Sequence, residues 1–189
     1  QNNMMKTVLT GVLCTIFSVI YGQSVVISEL YVGGGSGGAT YTNDYVELYN
    51  PTAAPITMTN WSIQYASSSG SFTNIFAFTG TIQPKSYFLI VMSGVADPTL
   101  PASDAKGGLN FSGTAGKVAL VSSSTGLTGT NPAPGTYVDL IGYGSANGFE
   151  GSVFSTFPVT NAAERKAFST STASTMAIGG ADEFAGNAY

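Results

Sequence analysis

The chain has 189 residues, a formal net charge of −4, no histidine and one cysteine, and only 8% of its residues are charged. Without histidine, the commonest general base and metal ligand is missing, and the one cysteine, Cys14, lies in a predicted leader, so thiol catalysis and thiolate zinc sites are excluded. The negative charge disfavours non-specific DNA binding through a basic face.

The N-terminal residues are typical of a secretory signal peptide. One positive charge, Lys6, precedes an uncharged apolar stretch over residues 7–20, which is too short and too lightly flanked for a stable membrane span. We therefore expect residues 4–22 to be a signal peptide and the mature protein to be secreted or held at the cell surface, without a membrane anchor. A buried N-terminal helix or an anchor is the alternative. Residues 23–189 fit one domain.

The rest of the chain shows short segments with period-2 alternation, and no helical period. In the first segment, the alternation places Ile27 and Glu29 on one side and Leu30 on the other. Residues 93–112 and 169–189 are predicted to be loops. Strands punctuated in this way predict an all-β, antiparallel β-sandwich. The predicted strands cover residues 25–32, 45–49, 61–65, 75–78, 87–92, 117–122, 137–143 and 163–168.

Three local features have both a structural and a functional interpretation. Trp61 is predicted to be the core tryptophan of the sandwich. The glycine cluster over residues 33–38 lacks the Gly-Lys-Ser/Thr ending of a phosphate loop and precedes no helix, so it is predicted to be an inter-strand loop. Several tyrosines either form a stacking surface for sugars or bases or, as the sequence favours, pack on the sheets: Tyr31, Tyr41, Tyr45, Tyr49 and Tyr65.

Asp44 and Glu47 are weak candidates for a calcium site built from loop oxygens. They are three residues apart near the start of a strand, so they face opposite sides of a regular strand, which is a poor arrangement for a catalytic pair. The alternative, which the sequence favours, is that the two carboxylates accept hydrogen bonds from loop amides or pair with Arg165 or Lys166. No cofactor and no catalytic residue are expected.

An ordered series of segments resembles the lamin-tail domain family. The segments are ISELY at 27–31, NDYVELYNP at 43–51, TNWSI at 59–63, YFLI at 87–90, AGKVALV at 115–121, VDLIGYG at 138–144 and AERK at 163–166. The resemblance implies an immunoglobulin-like β-sandwich with a non-catalytic role. It also implies a set of structural signature residues: Glu29, Asp44, Glu47, Asn50, Trp61, Asp139, Gly142 and Arg165.

A finer likeness concerns residues 33–41, 64–67 and 142–151, which resemble the lamin-tail modules of secreted bacterial nucleases. In those proteins the module stands N-terminal to an endonuclease/exonuclease/phosphatase catalytic domain. The family also closes its sandwich with a last strand. We expect residues 185–189 to be a loop just before that strand and the domain to be truncated there.

These features favour a secreted, non-catalytic accessory or binding module. Its expected partner is an extracellular macromolecule or a catalytic domain in the same protein. One alternative is the N-terminal fragment of an extracellular nuclease whose catalytic domain lies beyond residue 189. Another is a structural or adhesion protein of the cell surface.

Overall fold

The computed structural model describes residues 25–92, 97–155 and 158–165, and the backbone of residues 184–187. The predicted signal peptide and Lys166 lie outside the described residues. Within the described ranges every regular secondary-structure element is a β-strand. No helix long and apolar enough to cross a membrane is found in those ranges.

Ten strands are described, and each predicted strand falls on one of them. They are β1 (Val26–Tyr31), β2 (Tyr45–Tyr49), β3 (Ile56–Ser67), β4 (Asn74–Ile82), β5 (Tyr87–Met92), β6 (Ala105–Gly107), β7 (Gly116–Val121), β8 (Asp139–Tyr143), β9 (Ala162–Arg165) and β10 (Phe184–Asn187).

The strands form two sheets that pack face to face. The larger has the order β10-β9-β1-β2-β5-β6 and the smaller the order β4-β3-β7-β8. All neighbours are antiparallel except β5 and β6, which are parallel. Val46 shows how the larger sheet builds the core: it lies opposite Leu30 and Ile90 on the flanking strands, and all three are fully buried between the sheets. The predicted all-β antiparallel sandwich is confirmed.

The predicted alternation of the first strand is wrong, because a β-bulge at Ser28 interrupts it. Ile27 lies opposite Leu48, but the next pair is Glu29 with Glu47, so Ser28 is the extra residue. A bulge places two residues of one strand opposite one residue of its partner and shifts the side-chain pattern. Ile27 and Leu30 consequently both point into the core, and Glu29 points to the outer face.

Trp61 follows a second bulge, and the structure places it differently from the predicted core position. The register of β3 shifts between Met58 and Trp61, where Asn60 has a φ of 56°. Trp61 is only partly buried and packs against the rim of the core, whereas Met58 and Ile63 are fully buried. The extra residue places Met58 and Trp61 on the same side of the strand, and the indole packs against the core from a partly buried position, so Trp61 is not a fully buried core tryptophan.

Two strands lie in segments predicted to be loops. β6 pairs with β5, and β10 pairs with β9 through four consecutive positions from Phe184 to Asn187. Strand pairing uses backbone groups, so a segment without alternating apolar residues can still join a sheet edge. The expectation of a loop over residues 185–189 is therefore wrong for residues 185–187, and residues 188–189 lie outside the described part.

Candidate functional site

A groove with a cavity volume of about 350 Å³ lies on the outer face of the larger sheet. We call it the acidic groove. Its lining comes from β1, β2, β5 and β9, from the loop between β1 and β2, and from the loop between β5 and β6. The lining residues are Ser28, Glu29, Tyr41, Tyr45, Glu47, Tyr87, Leu89, Leu100, Pro101, Glu164 and Arg165.

Strand alternation brings these side chains to one face. On β2, Val46 and Leu48 point into the core, so Tyr45 and Glu47 point outward. On β5 the core residue Phe88 likewise leaves its neighbours Tyr87 and Leu89 on the outside. Tyr49, two residues after Glu47, lies on the same outer side and contacts Tyr87.

Three glutamates form a row across three adjacent strands. Glu29 on the central strand lies directly opposite Glu47 on one side and Glu164 on the other. Like charges in opposed positions of a sheet are destabilising unless other groups offset them. Two hydroxyl groups do so here: Tyr45 donates to Glu29 Oε1 at 2.5 Å, and Ser28 donates to Glu47 Oε1 at 2.8 Å.

The electrostatics of Glu47 reflect this crowding. Partial burial raises the pKa of the Glu47 carboxyl, the Ser28 hydroxyl opposes that rise, and the negative charge of Glu164 raises the pKa further. Both burial and a like charge favour the protonated form. A positive charge placed in the groove would act in the opposite direction.

Tyrosines form the two ends of the groove. At one end Tyr41 and Tyr45 contact each other and the buried Tyr31, with ring centroids 5.3 to 5.7 Å apart. At the other end Tyr87 packs on Tyr49 with centroids 4.9 Å apart and is still 60% exposed. An aromatic ring this exposed beside a concave surface is available to a ligand.

The sequence left two roles open for the tyrosines, packing inside the protein or forming a stacking surface, and the structure shows some of them in each setting. Tyr31 and Tyr65 pack inside the protein, and Tyr65 also accepts a hydrogen bond from the Ser112 amide. Tyr41 and Tyr45 line the groove, as does Tyr87, which the sequence analysis did not single out. Tyr87 starts β5 directly after a turn at residues 83–86. That position was the sequence feature that could have indicated an exposed tyrosine.

Asp44 lies on the opposite face from Glu47 and joins two loops. Its carboxylate accepts hydrogen bonds from the Gly34 amide at 2.9 Å and the Phe111 amide at 2.8 Å. Burial raises the pKa of Asp44 to about 6, against the effect of these two amides. For Asp44 the structure thus matches the loop-amide alternative, whereas Glu47 accepts the Ser28 hydroxyl on the other face, so the structure does not bring the two carboxylates together. Among the described residues, no group of three or more His, Cys, Asp or Glu side chains could hold a metal ion.

Asp139 and Arg165 form a buried ion pair that connects the two sheets. Arg165 Nη2 lies 2.8 Å from Asp139 Oδ2, and that oxygen also accepts the Ile27 amide at 2.7 Å. Arg165 Nε donates to the Ile27 carbonyl at 3.0 Å, so both groups bind the same residue of β1. Burial raises the pKa of the Asp139 carboxyl, and the charge of Arg165 opposes this effect.

Two other signature residues are structural for different reasons. The buried Asn50 donates to the carbonyls of Ala54, Ile82 and Gln83, which ties the end of β2 to the turn after β4. Gly142 has no room for a side chain, because an added Cβ would lie 2.4 Å from the carbonyl oxygen of Gly148. The glycine loop at 33–38 connects β1 and β2, as predicted.

A buried lysine on the smaller sheet was missed by sequence reasoning. Lys117 is fully buried, and its Nζ donates to Gly70 O at 2.7 Å, Thr130 O at 2.6 Å and Asn147 Oδ1 at 2.7 Å. Its ammonium also lies 5.5 Å from the centre of the Phe72 ring. Burial lowers the pKa of Lys117. Three acceptors match the three N–H donors of an ammonium group.

The comparison with known families agrees with this geometry. The family model of the Lamin Tail Domain matches residues 21–145.

The chain belongs to the lamin tail domain family.

A search of curated proteins found no match. A lamin tail domain is an immunoglobulin-like, non-catalytic module, which agrees with the sandwich and with a site that lacks histidine and cysteine. The matched range contains the parts of the acidic groove contributed by β1, β2 and β5. Glu164 and Arg165 lie on β9, outside the match.

Proposed function

We propose that this lamin tail domain is a secreted, non-catalytic accessory module that binds a macromolecular partner through the acidic groove. The partner is an extracellular macromolecule or a catalytic domain of the same protein. The observation that carries the proposal is the groove itself, a concavity of about 350 Å³ with an exposed tyrosine at one end. Ligand sites of proteins are typically concave and measure about 300 to 1,000 Å³.

The side chains of the groove support binding better than catalysis. The chain has no histidine to activate a serine for nucleophilic catalysis. The Ser28 hydroxyl donates to the Glu47 carboxylate and to the Glu47 carbonyl oxygen, but Ser28 is buried and is therefore poorly placed to attack a substrate. Lys117, the buried amine, lies on the other sheet with carbonyl acceptors on its ammonium. A setting beside an extracellular phosphodiesterase domain is part of the proposal and is supported by the nuclease-like segments at 33–41, 64–67 and 142–151.

The catalytic part of the proposal is tested with the purified mature chain. We expect no cleavage of plasmid DNA with magnesium and no release of 4-nitrophenol from a panel of 4-nitrophenyl glycosides. Dose-dependent cleavage of either substrate, lost on Glu47→Gln, would overturn the non-catalytic assignment. Sequencing the gene beyond the codon for Tyr189 tests the nuclease setting, which predicts a phosphodiesterase domain downstream.

The binding part is tested with two arrays, one of immobilised peptides and one of glycans. We expect the wild-type chain to bind at least one class of probe and Tyr87→Ala to lose that binding. Phe149→Ala is the matched control, because Phe149 is another exposed aromatic residue, 38% accessible, that does not line the groove. Binding that survives in Tyr87→Ala, or no binding on either array, would contradict a binding role for the groove.

A further inference from the structure

The charge distribution of the acidic groove indicates the class of ligand. Three carboxyl groups line it, of which those of Glu47 and Glu164 belong to partly exposed residues, whereas Glu29 is buried and accepts the Tyr45 hydroxyl. Arg165, the cation among the lining residues, forms the buried ion pair with Asp139. Neighbouring strands lie about 4.8 Å apart, so the glutamate row, which crosses three strands, is roughly 10 Å long.

The other lining residues match the remaining parts of a basic side chain. The partly exposed Tyr41 and the exposed Tyr87 present aromatic rings in the groove, and an aromatic face attracts ammonium and guanidinium groups. Leu89 and Leu100 supply apolar surface on the same wall, which suits the methylene stem that lysine and arginine bury along apolar surface.

A metal ion fits the groove poorly. Calcium takes six to eight oxygen ligands at about 2.3 to 2.6 Å from a single centre. The three glutamates lie on three successive strands, and no metal-binding group of three acidic, histidine or cysteine side chains occurs in the described residues. An extended row of charge is better matched by several organic cations than by one compact ion.

The length of the row suggests how those cations are connected. Alternate residues of an extended peptide point to the same side and lie roughly 7 Å apart. Two basic side chains at positions i and i+2 therefore fit along a row of roughly 10 Å. We propose that the acidic groove binds an extended basic segment of a partner protein, with two alternate lysine or arginine side chains placed over Glu47 and Glu164, the partly exposed ends of the glutamate row. This inference rests on the proposed function, because it names the ligand of the same groove.

The direct test uses a fluorescein-labelled nonapeptide of alternating alanine and lysine, titrated with the mature chain and followed by anisotropy. An alternating alanine–glutamate peptide of the same length is the charge control. We expect binding of the lysine peptide only, weakened as salt rises from 50 to 500 mM because the groove is open to solvent. Equal binding of the two peptides would overturn the inference.

Variants locate the binding. Glu47→Gln and Glu164→Gln each remove one charge of the row, and we expect each to weaken the lysine peptide roughly fivefold, as the loss of one partly exposed ion pair predicts. Glu150→Gln is the matched control, because it makes the same change at a half-buried glutamate that does not line the groove. Thermal melting shows that each variant is folded. Unchanged affinity in both groove variants would contradict the proposal.

Two further outcomes separate this inference from the proposed function. Free spermine, a polyamine, is titrated in competition; if spermine binds and the lysine peptide does not, the groove takes small amines and the peptide assignment fails. If the arrays give Tyr87-dependent binding of a glycan and the lysine peptide does not bind, the inference fails while the binding role stands. If no probe binds at all, both fail.

Discussion

The outer faces of the two sheets differ in what covers them. On the smaller sheet, Gln64 binds the backbone of the 122–131 loop through Thr125 and Leu127, and Lys117 binds three further loop groups. Loop residues and the strands below form a second small core there. On the larger sheet, the glutamate row borders an open groove. Charged side chains point outward on both sheets, so loop coverage decides whether such a residue stabilises the fold or remains accessible to a ligand.

Lys117→Met removes the hydrogen bonds of a buried ammonium group from the covered face of the smaller sheet. It has the largest expected effect on stability. Methionine fills similar space but donates no hydrogen bond, so three acceptors lose their partner. We expect the free energy of unfolding to fall by about 3 kcal/mol, since each unsatisfied buried polar group costs about 1 to 3 kcal/mol and some regain water. Urea denaturation measures it. Lys106→Met, at an exposed position of β6, is the control and should change stability by less than about 0.5 kcal/mol. A loss below about 1 kcal/mol at Lys117 would mean that its hydrogen bonds contribute little.

Asp44→Asn removes a buried carboxyl group at the point where two loops meet, away from the outer faces of both sheets. The folded-state pKa of Asp44, raised from 3.8 to about 6, lies above its unfolded value, so the folded protein binds the proton more tightly. Acidification through this window therefore adds stability. We expect the wild type to gain about 2 kcal/mol relative to Asp44→Asn between pH 7.0 and 4.5. Urea denaturation of both proteins at the two pH values measures the difference, since the other titrating groups are common to both. Parallel pH profiles, or a relative loss for the wild type, would contradict this assignment.

Glu47→Gln has the smallest expected effect on stability and sharpens the comparison. Glutamine retains an oxygen acceptor for the Ser28 hydroxyl and removes one of the three opposed charges. We expect the protein to become more stable by about 0.5 kcal/mol, the scale of one cross-strand pair. Differential scanning calorimetry measures the shift. A clear loss of stability would indicate that the glutamate row supports the fold rather than a ligand.

Strand alternation predicted the fold but not every element. The runs at 45–49 and 87–92 became β2 and β5 as expected, because each alternates cleanly or is continuously apolar. The bulges at Ser28 and before Trp61 could not be foreseen, since they depend on the partner strand. β6 joins the sheet through backbone pairing with β5, which has no side-chain signature.

The site was harder to predict than the fold. Glu29 and Glu164 are far apart in sequence and become neighbours only because β9 pairs with β1. That strand order does not follow from local patterns. The same limit applies to Lys117, whose outward position follows from alternation, whereas the loops that cover it do not. Asp44 was predictable as a loop-amide acceptor because it precedes a strand and follows a glycine-rich loop.

The most direct test of the central claim is an amide chemical-shift titration of ¹⁵N-labelled residues 23–189 with the alternating alanine–lysine peptide. The acidic groove predicts saturable shifts at Glu47, Tyr87 and Glu164, and none around Lys117 on the covered face. Shifts centred on the smaller sheet, or no shifts at millimolar peptide, would contradict the assignment of the groove as the binding site.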